Sequence, residues 1–393
     1  MTSKMRQLDG VERWQMYLYT AIFLVLSVVL SNVIAWVKQF RQEARISQKT
    51  ASLADRQATG QAIIPVTILT GFLGSGKTTL LNYILSSPDH GYKIMVLENE
   101  LGAVSIDHAL IANHPREGVV VMQNGCMCCS ASTATSNELE RILDHLLDVQ
   151  ASNNDAFDYL IVETTGIADP GPILKTFLEL RASRFRLDGV VTLVDTAALL
   201  KMDSTPWPVE MHSQLAYADL IALNKIDLVS DRDAIDSLTT RLRAINPDAK
   251  LVECQHSKLA ISELLHIESF DARRFDLANI VSQHTQDVDT VLLTTTRPVP
   301  LGAFSHWLNE VVDVYWKRGI FRMKGLILDS DESLWVLQCV LDTYTMTQAA
   351  SQQTKEGKTE QKTTQVVLIG VRLDEKVLEA SFAAMLEDEP TNE

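Results

Sequence analysis

The chain has 393 residues, 46% of them hydrophobic and 22% charged, which is enough for two or three domains with a sizeable buried core. Its formal net charge of −15 excludes nonspecific nucleic-acid binding, which requires a basic surface. Five cysteines are too few for a disulfide framework; three of them crowd into four residues, where soft thiolates suit a metal in a reducing compartment.

The first element is an apolar run. Residues 16–37 carry no charged side chain and are mostly Leu, Val, Ile, Ala and aromatics. As a helix rising about 1.5 Å per residue, such a run crosses a hydrocarbon core of roughly 30 Å. Trp14, Tyr17, Tyr19 and Trp36 lie near its ends, where amphipathic rings favour the interface. The competing readings are a buried core helix and a cleaved signal peptide, but Ala35-Trp36-Val37-Lys38 is a poor cleavage site. Residues 16–37 are therefore expected to form a single transmembrane helix. Three Lys or Arg precede it (Lys4, Arg6, Arg13) and five follow closely (Lys38, Arg41, Arg45, Lys49, Arg56), which places the rest of the chain on the cytosolic side. Residues 38–60 are polar and read as a linker.

From residue 61 the pattern changes to strand–helix alternation. Short apolar runs rich in β-branched residues at 66–70, 93–97, 118–122, 159–162, 189–194 and 219–223 read as strands, with a helix over 79–85 after the first. Such runs suit a mainly parallel sheet covered on both faces, so 61–255 is expected to be a doubly wound α/β domain. A helix at 260–265 and a mixed segment make 256–287 a connection. Beyond it, strands at 290–296, 321–328, 334–343 and 365–370 and helices at 301–314 and 374–386 give the order βαβββα over 288–386, a small α+β domain. Polar, low-complexity residues 348–362 read as a loop between its last strands.

Gly71-Phe72-Leu73-Gly74-Ser75-Gly76-Lys77-Thr78 matches G-x-x-x-x-G-K-[ST] between a strand and a helix. The glycines let successive N–H groups curve round a phosphate, and the helix N-terminus adds partial positive charge. Lys77 is placed to bridge the β- and γ-phosphates and Thr78 to ligate Mg²⁺, with Gly71, Gly74, Ser75, Gly76 and Thr79 completing the phosphate segment. The strand at 159–162 delivers Glu163, whose carboxylate can reach the Mg²⁺ shell through water, and Gly166 can offer its N–H to a γ-phosphate. Asn224-Lys225-Ile226-Asp227 follows another strand. There Asp227 is expected to accept from the guanine ring N–H and amine, Asn224 to fix the loop and Lys225 to pack along the base, so GTP is favoured over ATP. Cys126, Cys128 and Cys129 offer three thiolates to one soft or borderline cation and leave a coordination position open, which suits a metal that is handed on. A buried cysteine-rich turn and a redox pair are the competing readings. Cys254 and Cys339 read as packed thiols, and His256, His266 and His284 are too dispersed to be assigned a metal.

Together the segments "TGFLGSGKTTLLN", "VLENELGAVSIDHALI", "NGCMCCS", "ETTGIADPGPI", "LNKIDL", "GIFRMKGLI" and "VVLIGVRLDEKVLEASF" resemble the CobW-type GTPases, a metal-chaperone family, and within it the YjiA-like branch. The likeness covers roughly residues 64–385. It implies that Lys77, Thr78, Glu163 and Gly166 serve GTP hydrolysis, that 98–107 is a first switch, and that Cys126, Cys128 and Cys129 bind zinc or cobalt. The chain departs from the family at Ala103, where a Glu is usual, leaving Glu98 or Glu100 as candidates for that role, and it lacks a histidine-rich stretch before the second domain. The expectation is a membrane-held GTPase metallochaperone that passes zinc (or cobalt) to a client metalloprotein. No arginine finger or glutamine is evident, so slow intrinsic turnover is expected. The main alternative is a membrane-anchored GTP switch that recruits a partner, with metal only regulatory. A small-molecule phosphotransferase would need an acidic base beside the γ-phosphate, for which there is no clear candidate.

Overall fold

The computed structural model describes residues 63–87, 91–99, 118–122, 139, 142, 143, 146, 157–179, 184–202, 207–269, 282–284, 288–315, 319–349 and 363–387. The expected transmembrane helix (16–37), the linker (38–60), most of the first switch and Cys126, Cys128 and Cys129 lie outside them. Among the described residues no helix is long and apolar enough to cross a membrane.

The first domain is built on a parallel sheet. Its strands are β1 (Ile64–Gly71), β2 (Ile94–Asn99), β3 (Gly118–Met122), β4 (Tyr159–Thr164), β5 (Phe185–Asp195), β6 (Leu220–Asn224) and β7 (Lys250–Glu253). They lie in the order β3-β2-β4-β1-β5-β6-β7, and each neighbouring pair is parallel. The two-residue period of a strand sends alternate side chains into two separate cores. Ile64, Val66, Ile68, Leu160, Val162, Val190, Ile221 and Leu223 enter one, while Leu69, Tyr159, Ile161, Val191, Leu193, Leu220 and Ala222 enter the other. The second core is covered by α1 (Lys77–Ser86) through Leu80, Leu81, Ile84 and Leu85. The first is covered by α2 (Gly171–Glu179), α4 (Val209–Ala216) and α5 (Arg232–Ile245), with the buried residues Leu139, Leu143 and Leu146. A short α3 (Thr196–Lys201) follows β5, and α6 (Ile261–Leu264) follows β7.

The second domain is an antiparallel sheet of β8 (Gln283–His284), β9 (Asp289–Thr295), β10 (Ile320–Leu328), β11 (Leu334–Val340), β12 (Thr343–Gln348) and β13 (Thr364–Gly370), ordered β12-β11-β10-β13-β9-β8. Helices α7 (Leu301–Tyr315) and α8 (Glu375–Glu387) pack together through Trp307 and Phe382, whose rings meet edge to face at 5.2 Å, and Asp374 caps α8. The order expected from sequence, βαβββα, needs correction. The run 334–343 is not one strand but the first arm of a hairpin that turns at Leu341 (φ 55) and returns as β12. The short β8 is likewise additional to the expected order.

The two domains share a core. Phe321, Val340, Val367 and Ile369 of the second sheet enter the cluster beneath α2, α4 and α5. Beside it, Asp219 accepts from Arg322 (2.6 Å) and Lys324 (2.7 Å), and Lys324 also reaches Asp248 at 2.6 Å. At the amino edge of the parallel sheet Asp188 accepts from Tyr159 Oη and from the N–H groups of Ile267 and Glu268, tying down the segment that leaves α6.

Candidate nucleotide and metal site

The phosphate segment begins where β1 leaves the middle of the sheet, at the carboxyl edge where open α/β sheets bind ligands. Gly71 has φ 139, and a Cβ there would lie 2.2 Å from the Leu193 carbonyl oxygen, so a side chain is excluded. Gly76 has φ 106 and opens α1 without a side-chain cap, and no acidic residue occupies the first turn. An acidic residue there would compete with a phosphate for the positive end of the helix. Lys77 is buried, and its ammonium donates to the carbonyls of Gly71 (2.7 Å) and Phe72 (3.3 Å), which holds the cation inside the curve of the loop.

At the mouth of the loop Thr78 Oγ1 donates to Glu163 Oε1 at 3.3 Å. Glu163 pairs in register with Leu69 of β1 and with Glu98 of β2. One hydroxyl and one carboxylate converging at a phosphate loop form a hard oxygen donor set, which fits Mg²⁺. The Glu98 side chain itself lies outside the described part of the structure. Gly166 packs directly on the phosphate loop, where an added Cβ would meet Leu73 N at 2.7 Å. The carboxamide of the buried Gln214 donates to the carbonyls of Gly166 (3.3 Å) and Ala168 (2.9 Å), so α4 grips the segment that follows β4. In that segment burial raises the Asp169 carboxyl, against a lowering by the Gly171 N–H it accepts from at 2.9 Å.

The end expected to read the base is assembled from three loops. Asn224, at the end of β6, donates through Nδ2 to the Ser75 carbonyl and to Ser257 Oγ, both at 2.8 Å, and accepts from the Ser257 N–H at 2.9 Å. Ser257 Oγ donates to the Gly76 carbonyl at 3.0 Å. The triangle fixes the distance between the phosphate loop and the base loop. Lys225 takes the left-handed conformation (φ 63), and its ammonium donates to the Gly74 carbonyl (2.7 Å) and Asp195 Oδ2 (2.6 Å). Asp227 lies exposed in the 3₁₀ turn Ile226–Leu228.

The residues expected from sequence to serve phosphate and base thus fall along one edge of one sheet, joined directly by Asn224 on the Ser75 carbonyl and Lys225 on the Gly74 carbonyl, and braced by residues to which sequence alone assigned no such role. Ser257, Asp195 and Gln214 carried no motif, and Cys254 reads from sequence only as the packed thiol it is. Their only signal was proximity to strand ends, and β7, which delivers Cys254 and Ser257, is too polar to read as a strand. Cys254 is buried 3.6 Å from Asn224 Oδ1, and burial raises its thiol to about 11. Cys339 is also buried. His266 bonds Tyr92 Oη and lies against the rings of Tyr92 and Tyr159. His256 follows β7 with φ 55, and His284 lies in β8. Among the described residues no three His, Cys, Asp or Glu side chains gather as a metal site.

Two family patterns match this chain. Residues 65–253 match "CobW/HypB/UreG, nucleotide-binding domain", and residues 288–386 match "Cobalamin synthesis protein cobW C-terminal domain". The chain is 33% identical over 330 residues to the zinc chaperone YjiA of Escherichia coli (strain K12), covering 82% of this chain and 98% of that one. It is 29% identical over 412 residues to the zinc-regulated GTPase metalloprotein activator 1 of Saccharomyces cerevisiae, covering 91% of each. A crystal structure of the Zn(II)-bound YjiA GTPase from E. coli superposes with a TM-score of 0.60 at 29% identity, covering 83% of this chain and 99% of that one.

Proposed function

Because this chain belongs to the CobW/HypB/UreG family of P-loop GTPases, with the CobW C-terminal domain attached, we propose that it hydrolyses GTP to GDP and phosphate and uses the cycle to load zinc onto a client metalloprotein. The observation that carries the nucleotide half is the geometry binding Lys77, Thr78, Glu163 and Asn224 to one loop. Lys77 exchanges its carbonyl partners for β- and γ-oxygens. Thr78 and Glu163 would hold Mg²⁺, which would neutralise charge developing on the phosphates. Gly166 offers its N–H to the γ-phosphate, and Asp227 reads the guanine edge. The cargo half rests on Cys126, Cys128 and Cys129, the three thiolates between the two switch segments, and on the zinc named for the relatives. Glu98 is a candidate fourth ligand. Cobalt fits the same donors.

In the same reading residues 16–37 anchor the chain in a membrane with the GTPase part in the cytosol. Carbonate extraction of cells should leave it in the membrane pellet, and its release into the supernatant would remove the anchor from the account.

The test of the function uses the full chain. With Mg²⁺ it should hydrolyse GTP and not ATP, and Lys77→Ala should lower the rate by ~10²-fold or more, the scale of a lost transition-state charge contact. It should bind one zinc ion, and changing Cys126, Cys128 and Cys129 to Ser should abolish that binding while leaving GTP affinity in place. A zinc stoichiometry unchanged by the three substitutions would overturn the cargo assignment.

A further inference from the structure

We propose that Asp195, at the carboxyl end of β5, is a positioning residue for the guanine base, acting through Lys225. The proposal rests on the nucleotide reading above and adds a residue that no motif contains. Asp195 stands in register beside Asn224 across β5 and β6. Its two oxygens do different things. Oδ1 accepts from the Ala198 N–H at 2.9 Å and caps α3, while Oδ2 holds the Lys225 ammonium at 2.6 Å. Helix α3 in turn packs on the 3₁₀ turn that carries Asp227.

Lys225 needs such a hold. Its left-handed backbone (φ 63) is unfavourable for a residue with a side chain. Among the described residues its ammonium meets the Gly74 carbonyl and Asp195, of which Asp195 is the charged one. The ammonium is held at once by the phosphate loop and by β5, which fixes the course of the four-carbon stem two residues from Asp227 in the chain. A base packing along that stem would then meet a side chain already ordered, not one that must be ordered on binding. The γ-phosphate lies at the other end of the nucleotide, so GDP and GTP should depend on Asp195 equally.

The test separates capping from positioning. Serine is a good helix cap but too short to reach the Lys225 ammonium. Asp195→Ser in the full chain should therefore melt within ~3 °C of the parent, because the cap is kept. Dissociation constants of fluorescent GDP and of a non-hydrolysable GTP analogue should both rise about tenfold, the range of a charge-assisted hydrogen bond. KM should rise in parallel and kcat at saturating GTP should change less than about twofold. Asp195→Asn, which keeps an acceptor without the charge, should recover part of the affinity. In a Lys225→Met background Asp195→Ser should add nothing. Unchanged nucleotide affinity in Asp195→Ser would overturn the proposal, as would a loss confined to the GTP analogue or a full tenfold loss persisting in the Lys225→Met background. Failure of the parent chain to bind guanine nucleotides would instead remove the nucleotide reading, and this proposal with it.

Discussion

Asn224 shows how much one side chain can fix. Both of its amide protons and its oxygen are engaged, on Ser75, Ser257 and the Cys254 thiol, and the residue is buried. Asn224→Ala would strand the Ser257 N–H and the Ser75 carbonyl, each at about 1–3 kcal/mol for an unpaired buried group. We expect a loss of roughly 2–6 kcal/mol in urea unfolding, together with weakened nucleotide binding; a neutral effect on stability would show that the triangle is dispensable. Cys254 gives a second residue-scale prediction. Burial raises its thiol to about 11, so very little thiolate exists at pH 8. Iodoacetamide at that pH should leave Cys254 unmodified in the folded chain by peptide mass mapping, and rapid labelling would contradict its packing. The phosphate segment was legible because its chemistry is contiguous, from Gly71 to Thr78. The base end was half legible. Asn224 and Asp227 belong to a contiguous motif, but Asp195 and Ser257 lie about thirty residues either side and meet it only after the sheet forms.

At the scale of elements, the parallel sheet was readable because strands buried on both faces leave long apolar runs. The failures have physical causes. β7 is an edge strand whose residues, Lys250 to Glu253, are half to fully exposed, so it lacks the apolar signature. The β11–β12 hairpin turns at Leu341 and Asp342 without Gly, Pro or Asn, and a leucine with φ 55 gives no turn signal in sequence. Two glycines of the phosphate loop separate strain from crowding. Gly71→Ala must both hold φ 139 and place a Cβ 2.2 Å from backbone, so β1 and β5 must part. Gly74→Ala meets open space and bears only the strain of φ 74, about 1–2 kcal/mol. Thermal melting should fall much further for Gly71→Ala, with loss of GDP binding. Equal melting points would contradict the close packing of Gly71 on Leu193.

At the scale of the whole molecule, the second domain is coupled to the first by buried charge. From sequence, Phe321-Arg322-Met323-Lys324 alternates like a strand with one wet face, but its cations point at Asp219 and Asp248, side chains that only the docked domains bring together. Burial pushes the Asp219 carboxyl up, but the Arg322 and Lys324 cations and the hydrogen bonds outweigh it and leave the group below its ordinary value. A carboxyl depressed in the folded state stabilises the fold fully above its unfolded value of 3.8 and loses that contribution as pH falls through and below it. Unfolding free energy should therefore drop steeply below about pH 4, and less steeply in Asp219→Asn. At pH 7 that substitution should cost about 3–5 kcal/mol, because it takes the carboxylate from the buried Arg322 guanidinium and leaves Lys324 with Asp248 as its remaining acidic partner. A flat acid limb in the parent chain would contradict this account of the docking.

The same docking sets the second domain on α2 and α4, and α4 grips the segment after β4 through Gln214. A nucleotide-driven shift there would move along the carboxyl edge of the sheet, the edge at which β3 ends four residues before Cys126 in the sequence. The most direct test of that coupling is zinc affinity, measured by chelator competition on the full chain with Mg²⁺ and either GDP or a non-hydrolysable GTP analogue. The account predicts affinities that differ by about fivefold or more between the two nucleotides, a coupling of about 1 kcal/mol. The difference should disappear when Cys126, Cys128 and Cys129 are changed to Ser. Equal zinc affinity in both nucleotide states would contradict it.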